Sequence, residues 1–404
     1  KGLSVIVLDK DGVVGNGASS RCGGGVRVSG RLEPEIPLAK YAIENIWPTL
    51  SEELEIDTEY HRSGNMRFAF TEEDLPKLTA IKEMNARYGI DIELLTAEQA
   101  REKCPYVGET VTGAAWCDID GSANPLKTTL GMYRAARKRG VQYVTGDAAV
   151  EIQVVRGKAR RVITARGNIY EGEHIVLANG YGARALANTV GVDFPFRQKL
   201  IEMFVTEPTK PMFQFMVGAV GAAGGAYGHQ TEHGSFLWGG DSGYEHHPIF
   251  EEDAKCIQQT APAISRGTMA FFPALAELKV IRTWAGWIDL CYDLYPVIGP
   301  VEEVPGLMVA AGYSAHGFCL GPVTGKILAE VAVGEKPCVD WKPLAYDRFK
   351  SIFFKGSAQL TFFRYVSAVS KLSLNISAAS KKWSMLAQGV IGGRSQPVDS
   401  TKFG

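Results

Sequence analysis

The chain has 404 residues, 46% of them apolar and 22% charged, with a formal net charge of −1. That composition excludes a disordered chain, and the near-neutral charge excludes an electrostatic footprint for nucleic acid or an acidic membrane surface. Seven cysteines scattered at 22, 104, 117, 256, 291, 319 and 338, with no CxxC pair, exclude a disulfide framework and lead us to expect free thiols in a cytoplasmic setting. No run approaches the roughly 18 apolar residues of a membrane span, and no secretion signal opens the sequence.

In chain order, the β-branched run at 3–8 (LSVIVL) is expected to be a buried parallel strand with Asp9 at its carboxyl end. Residues 41–60 and 73–103 carry apolar residues at spacings of three and four and are expected to be helices covering one face. A loop at 113–125 leads into an amphipathic helix at 126–139 that stops at Gly140. Residues 141–145, 150–155 and 159–164 alternate like the strands of a small meander, with Gly157 at one turn. HIVLA at 174–178 is a further buried strand, ending at Asn179 and Gly180. Residues 200–290 contain strand-like apolar runs and read as a substrate domain. His229, His233, His246 and His247 cluster there, but without HxH, HExxH or a cysteine companion they are not expected to hold a metal.

The segment 306–322, GLMVAAGYSAHGFCLGP, carries the most information. Its 307–311 run suits a strand covered on both faces, and Gly312 and Gly317 bracket a short polar loop. A helix at 321–333 would aim its unpaired amides at electron-rich ligand atoms, which suits a flavin pyrimidine ring. From 350 to 404 there are eight Lys or Arg, one acid and ten serines, a composition poorly suited to a packed core.

VIVLD at 5–9, GASSRCGGGVR at 17–27, DIDGSANP at 118–125, IVLANGYGARALA at 175–187, VIRTWAGWIDLCYDLYPVIGP at 280–300, the 306–322 segment and DRF at 347–349 follow one another as in FAD-dependent amine oxidoreductases. From residue 1 to about 349 the chain resembles the D-amino acid oxidase superfamily. Within it, the resemblance is to the branch of sarcosine oxidase β subunits, dye-linked L-proline dehydrogenase β subunits and opine oxidase subunits. The resemblance implies an α/β (α+β) fold. A Rossmann-like FAD-binding domain (1–40, 120–200 and 291–349) would interleave with a substrate domain built on a mixed β-sheet (41–119 and 201–290), leaving 350–404 as a tail without a family counterpart. The family's first βα unit, with its GxGxxG about 20 residues before the acidic residue, is missing ahead of Asp9, so the chain is expected to begin one strand and one helix late.

The resemblance further implies FAD as cofactor and oxidation of an amine or an amino or imino acid (sarcosine, proline, opine or D-amino acid-like) to an imine by hydride transfer to flavin N5. A cofactor-free structural subunit of an amine dehydrogenase complex is the alternative. Carried over residue by residue, Asp9 would meet the ribose, and Ala18, Ser19, Arg21, Cys22 and Gly23 would wrap the diphosphate and ring edge. Val150 would lend its backbone to the adenine, Asn179 and Gly180 would end a strand facing the cofactor, and Gly312, Ser314, Gly317 and Phe318 would line the pyrimidine end. Arg27, Tyr313 and His316 are the expected catalytic residues, though Arg27 also suits an ion pair. Tyr227, His229, Trp238 and Trp284 are the expected substrate pocket, though aromatic residues at these spacings also suit a core. The arginine that related oxidases carry in GLRP is absent, since the chain reads Gly286-Trp287-Ile288-Asp289, and the lysine that follows HGF in monomeric sarcosine oxidases is Cys319 here. The branch implies α-type partner subunits and an electron acceptor.

Overall fold

The computed structural model describes residues 1–221, 226–240, 254–257 and 259–350. His246, His247 and the tail beyond Lys350 lie outside them. The first strand, β1 (Ile6–Asp9), is followed by the two-residue β2 (Gly25–Val26) and then by helices α1 (Ile36–Asn45) and α2 (Trp47–Leu54). These two helices begin and end about five residues ahead of the expected 41–60 helix. Pro48 in the first turn of α2 lacks an N–H, which separates them at Ile46.

Strand β3 (Asn65–Ala69) leads to α3 (Leu75–Ala86), β4 (Glu93–Thr96), α4 (Ala97–Lys103) and β5 (Gly113–Cys117). The expected helix at 73–103 is therefore broken. Gly89, at φ 67°, turns the chain, and Glu93–Thr96 gains a ladder with β5 that a helix would forfeit. Thr96 then restarts the helix through a capping box with Gln99. After β6 (Gly121–Ser122), Asn124 accepts from the Leu126 and Lys127 amides and opens α5 (Pro125–Lys138).

Next come β7 (Gln142–Thr145), β8 (Ala149–Val155), β9 (Lys158–Thr164), β10 (Ile169–Glu171) and β11 (Ile175–Leu177). The meander consists of β8, β9 and β10, whereas β7 pairs in parallel with β1 and not with β8. Leu3, Val5 and Ile6 are 53%, 43% and 44% exposed, contrary to the expected burial, because β1 has β7 as its single neighbour among the described strands.

Helix α6 (Ala183–Asn188) precedes β12 (Phe196–Pro208), β13 (Met216–Ala219), β14 (Ala226–Gln230), β15 (Ser235–Gly240), α7 (Thr260–Phe271) and β16 (Val280–Cys291). Finally β17 (Val297–Pro300) and β18 (Leu307–Ala311) lead into α8 (Gly317–Ala332), which starts four residues before the expected position and runs through Pro322. Strand β18 lies between β11, parallel to it, and β17, antiparallel. The largest sheet has eight strands in the order β16-β12-β15-β14-β13-β3-β5-β4, mixed in sense because β13 runs parallel to β3. It draws on both 65–117 and 196–291. One of its faces carries Phe204, Trp238, Val217 and Phe68 into a core with Phe271 and Phe272 of the α7 region. A second core joins α1 and α2 to α8 through Ile43, Trp47, Leu320 and Ile327.

Candidate active site

The other face of the eight-stranded sheet builds the site. Ladder pairing aligns Trp284, Met203, Gly239, Tyr227, Gly218 and Arg67 in one row across β16, β12, β15, β14, β13 and β3. Side chains of one row share a face. Across this row lies the segment that runs from Arg21 to Arg31. At one end the Trp284 Nε1–H donates to the Arg21 carbonyl at 2.8 Å, and Arg21 Nη1 returns a bond to the Ala285 carbonyl at 3.1 Å. In the middle, a Cβ on Gly23 would stand 3.1 Å from both Met203 Cε and Tyr227 Cε2. At the far end Gly30, at φ 64°, packs its α-carbon on the Arg67 guanidinium, where a Cβ would stand 2.9 Å from Cζ. His229 is on the same face as Tyr227, one row further on, buried and with Nδ1 unbonded among the described residues.

Beneath this segment lies a largely buried polar network. His316, the residue before α8, presents Nδ1 to Glu35 Oε2 at 2.8 Å, and Glu35 is 0% exposed. Burial, reinforced by Arg31 and Arg27, pulls the His316 imidazole down to about 4. Burial raises the Glu35 carboxyl, but the hydrogen bond from His316 and the guanidinium charges of Arg31 and Arg27 outweigh it and hold Glu35 below the usual carboxylate range. The pair is therefore a neutral imidazole donating from Nδ1 to a carboxylate, which leaves Nε2 to accept from Arg27 Nη2 at 3.4 Å. Arg27 Nη1 donates to the Ser29 carbonyl at 2.7 Å. Burial, with repulsion from Arg31 and Arg67, lowers Arg27 to about 9, so its guanidinium remains charged at neutral pH.

Asp120 accepts from the Val28 amide at 2.6 Å, from the Ser29 amide and hydroxyl, and from Asn65 Nδ2 at 3.2 Å. Each of these partners can donate to the carboxylate. Arg31 Nε donates to the Arg27 carbonyl at 2.9 Å.

The loop between β18 and α8 closes one side. Gly312 takes φ 74° with its α-carbon against Phe196, and Ser314 and Ala315 follow at φ 50° and 71°. Asp289 pins this loop: its Oδ2 accepts from the Gly312 amide at 2.6 Å and its carbonyl accepts from the Ser314 amide at 2.9 Å. Burial pushes the Asp289 carboxyl up to about 6 despite those amides. Gly180, φ 58°, abuts the same carboxylate. No side chain caps the first turn of α8, so its amides face the loop unpaired by a cap.

Other expected residues fall as follows. Asp9 Oδ1 accepts from the Asp11 amide at 3.0 Å. Ala18 and Ser19 form a 3₁₀ turn that ends at Arg21, and the Cys22 thiol contacts the Ser19 carbonyl. Burial pushes that thiol up to about 11, so it is protonated at neutral pH. Val150 is exposed in β8, and Asn179 precedes the Gly180 turn. Gly317 begins α8, and its α-carbon lies under the Tyr313 ring. The Tyr313 hydroxyl turns toward Thr324 on α8.

Two expectations need correction. Trp238 is 0% exposed on the opposite face of the sheet from Tyr227 and His229, because the ladder sets it beside Gly228 and Phe204 in the α7 core. It belongs to no pocket shared with them. Phe318 turns into the helical core, with its ring 5.1 Å from that of Trp47. Sequence reasoning missed Arg31, Glu35, Arg67, Asp120 and Asp289. The one signal available was a charged residue inside an otherwise apolar or glycine-rich strand or turn, as at Arg67 in NMRFA and Asp289 in WIDLC.

Residues 1–331 match the model of a family described as DAO, FAD dependent oxidoreductase. The chain is 25% identical over 361 residues to the opine oxidase B subunit of Rhizobium meliloti, covering 82% of this chain and 90% of that protein. It is 26% identical over 316 residues to the sarcosine oxidase β subunit of Arthrobacter sp, covering 76% and 75%. Among solved structures, L-proline dehydrogenase from P. horikoshii superposes with a TM-score of 0.77 at 25% identity, over 86% of this chain and 98% of that one.

Proposed function

The chain belongs to the DAO family of FAD-dependent oxidoreductases, and on that premise we propose that it oxidises a secondary or primary amine, of the sarcosine, proline, opine or D-amino acid kind, to the imine. FAD supplies the acceptor for the hydride leaving the carbon next to nitrogen. The residues present fit such a cofactor: a glycine-rich segment and a positive-φ loop permit close approach, uncapped α8 amides face that loop, and a buried excess of guanidinium charge suits an electron-rich ring. In this reading Asp9, Ala18 to Gly23, Asn179, Gly180 and Gly312 to Gly317 hold the cofactor, Val150 lends its backbone, and Tyr227, His229 and Trp284 wall the substrate.

The observation that carries the proposal is the buried His316–Glu35–Arg27 chain under the face that presents Tyr227. It keeps His316 neutral with both ring nitrogens engaged, so His316 positions Arg27 and is not a free base. An amine that binds neutral needs none. The relatives named as oxidase subunits extend the proposal to an α-type partner and a separate electron acceptor, and the free cysteines extend it to a cytoplasmic setting. Among the described residues no helix is long and apolar enough to cross a membrane. The cofactor-free alternative is not favoured.

The test is the visible spectrum of the purified protein before and after anaerobic addition of sarcosine, L-proline, D-amino acids and opines. Oxidised-flavin bands that bleach with one of these amines are expected. A protein that stays colourless after FAD is added would overturn the proposal.

A further inference from the structure

We propose that Asp289 is a positioning residue for the cofactor: its side chain holds the 312–316 loop on a left-handed path that the loop's own residues disfavour, and so sets how tightly FAD is retained. The inference rests on the reading above, in which Gly180 and residues 312–317 hold the cofactor, and adds the residue on which that hold depends.

The turn Tyr313-Ser314-Ala315-His316 is closed by the His316 amide, which donates to the Tyr313 carbonyl at 2.8 Å. Its two central residues, Ser314 and Ala315, take φ 50° and 71°. Positive φ at both central positions is the mark of a type I′ turn, which suits Asn and Gly. Ser and Ala meet their own Cβ there and do not enter this region freely. The path of the turn is therefore imposed by what surrounds it.

The end of β16 imposes it. The Gly312 amide donates to Asp289 Oδ2 at 2.6 Å, the Ser314 amide to the Asp289 carbonyl at 2.9 Å, and the Cys291 amide to Ser314 Oγ at 3.1 Å. Asp289 thus grips the residue on each side of Tyr313. Its carboxylate is buried, and that burial is opposed by backbone amides, those of Gly312, Asp289 and Tyr313, and by no cation. A buried carboxylate without a cation is costly, and what it makes here is a charge-assisted bond to the loop. The same carboxylate meets the second turn, since a Cβ on Gly180, φ 58°, would stand 3.9 Å from Oδ2. At the other end of the loop Glu35 holds His316, which in turn positions Arg27. The left-handed residues lie between these two attachments. Loss of the Asp289 attachment lets the turn relax, and the apparent FAD dissociation constant rises by the factor by which the competent loop is depleted.

FAD would be titrated into the flavin-stripped protein, reading flavin fluorescence for affinity and the visible circular dichroism of the bound flavin for its surroundings. Asp289→Ala should raise the FAD dissociation constant at least about 10-fold and change the dichroism. Asp289→Asn, which keeps the acceptor for the Gly312 amide, should stay within about 3-fold of the native chain. Adding Ala315→Gly to Asp289→Ala should recover at least about 3-fold, because glycine follows the left-handed path without help; a carboxylate that merely filled the core would not respond to a change at 315. Asp289→Glu, which keeps the charge and displaces the acceptor, should weaken binding and be rescued by Ala315→Gly in the same way, and this comparison decides the matter if the alanine variant does not fold. Native affinity in both Asp289→Ala and Asp289→Glu, or weakening that Ala315→Gly leaves untouched, overturns the assignment. A native chain that binds no FAD overturns it together with the broader reading. A native chain that binds FAD but is bleached by none of the amines removes amine oxidation alone, and the variants still decide the role of Asp289.

Discussion

Replacing Asp289 by Asn tests the strain held where β16 meets the Gly312 loop. Asp289 is 8% exposed, and burial raises its carboxyl from 3.8 to about 6. Between about pH 4 and 6 the folded chain therefore keeps a proton that the unfolded chain has released. Its contribution to stability is fully present below pH 4, declines as the pH rises through 6, and is flat above that. A rise of that size corresponds to roughly 3 kcal/mol. Asn cannot ionise, yet its side-chain oxygen still accepts from the Gly312 amide, so the variant loses the charge and keeps the tether. Urea unfolding of both proteins at half-unit steps from pH 4 to 7.5 measures the difference. Asp289→Asn should gain up to about 3 kcal/mol relative to the native chain across that window. A difference that stays constant with pH, or that moves against the variant, would refute the assigned burial cost.

Gly312→Ala should destabilise the protein by about 2 to 3 kcal/mol, because the alanine must hold φ 74° and its Cβ would lie 2.4 Å from Phe196 Cε1; a thermal midpoint within a degree of the native value would contradict the loop geometry. Trp238→Phe should cost about 1 to 3 kcal/mol of stability through the α7 core and leave KM for the amine unchanged, whereas Tyr227→Phe should alter KM or kcat with little loss of stability. A KM shift in Trp238→Phe would place that ring on the substrate side after all.

What the sequence determined by itself is local. Period-two runs specified β8 and β9, a continuous apolar run specified β18, the amphipathic pattern at 126–139 specified α5, and the glycine-bracketed loop after β18 specified the turn into a helix. Those features depend on neighbours a few residues away, and the order of short motifs named the family on the same footing. Partner choice was not legible. Residues 93–96 are as apolar as a helix face, and only the ladder with β5 makes them a strand; β7 resembles a meander strand until β1 claims it. Tyr227 and Trp238 look alike as aromatic strand residues, and only the ladder sends one to the site and the other into the core. The charged network depends most on tertiary structure. Glu35 and His316 lie 281 positions apart, and Asp120 meets the Val28 amide across 92. A buried charge is stable only beside its partners, and folding alone brings residues so distant in sequence within reach of one hydrogen bond.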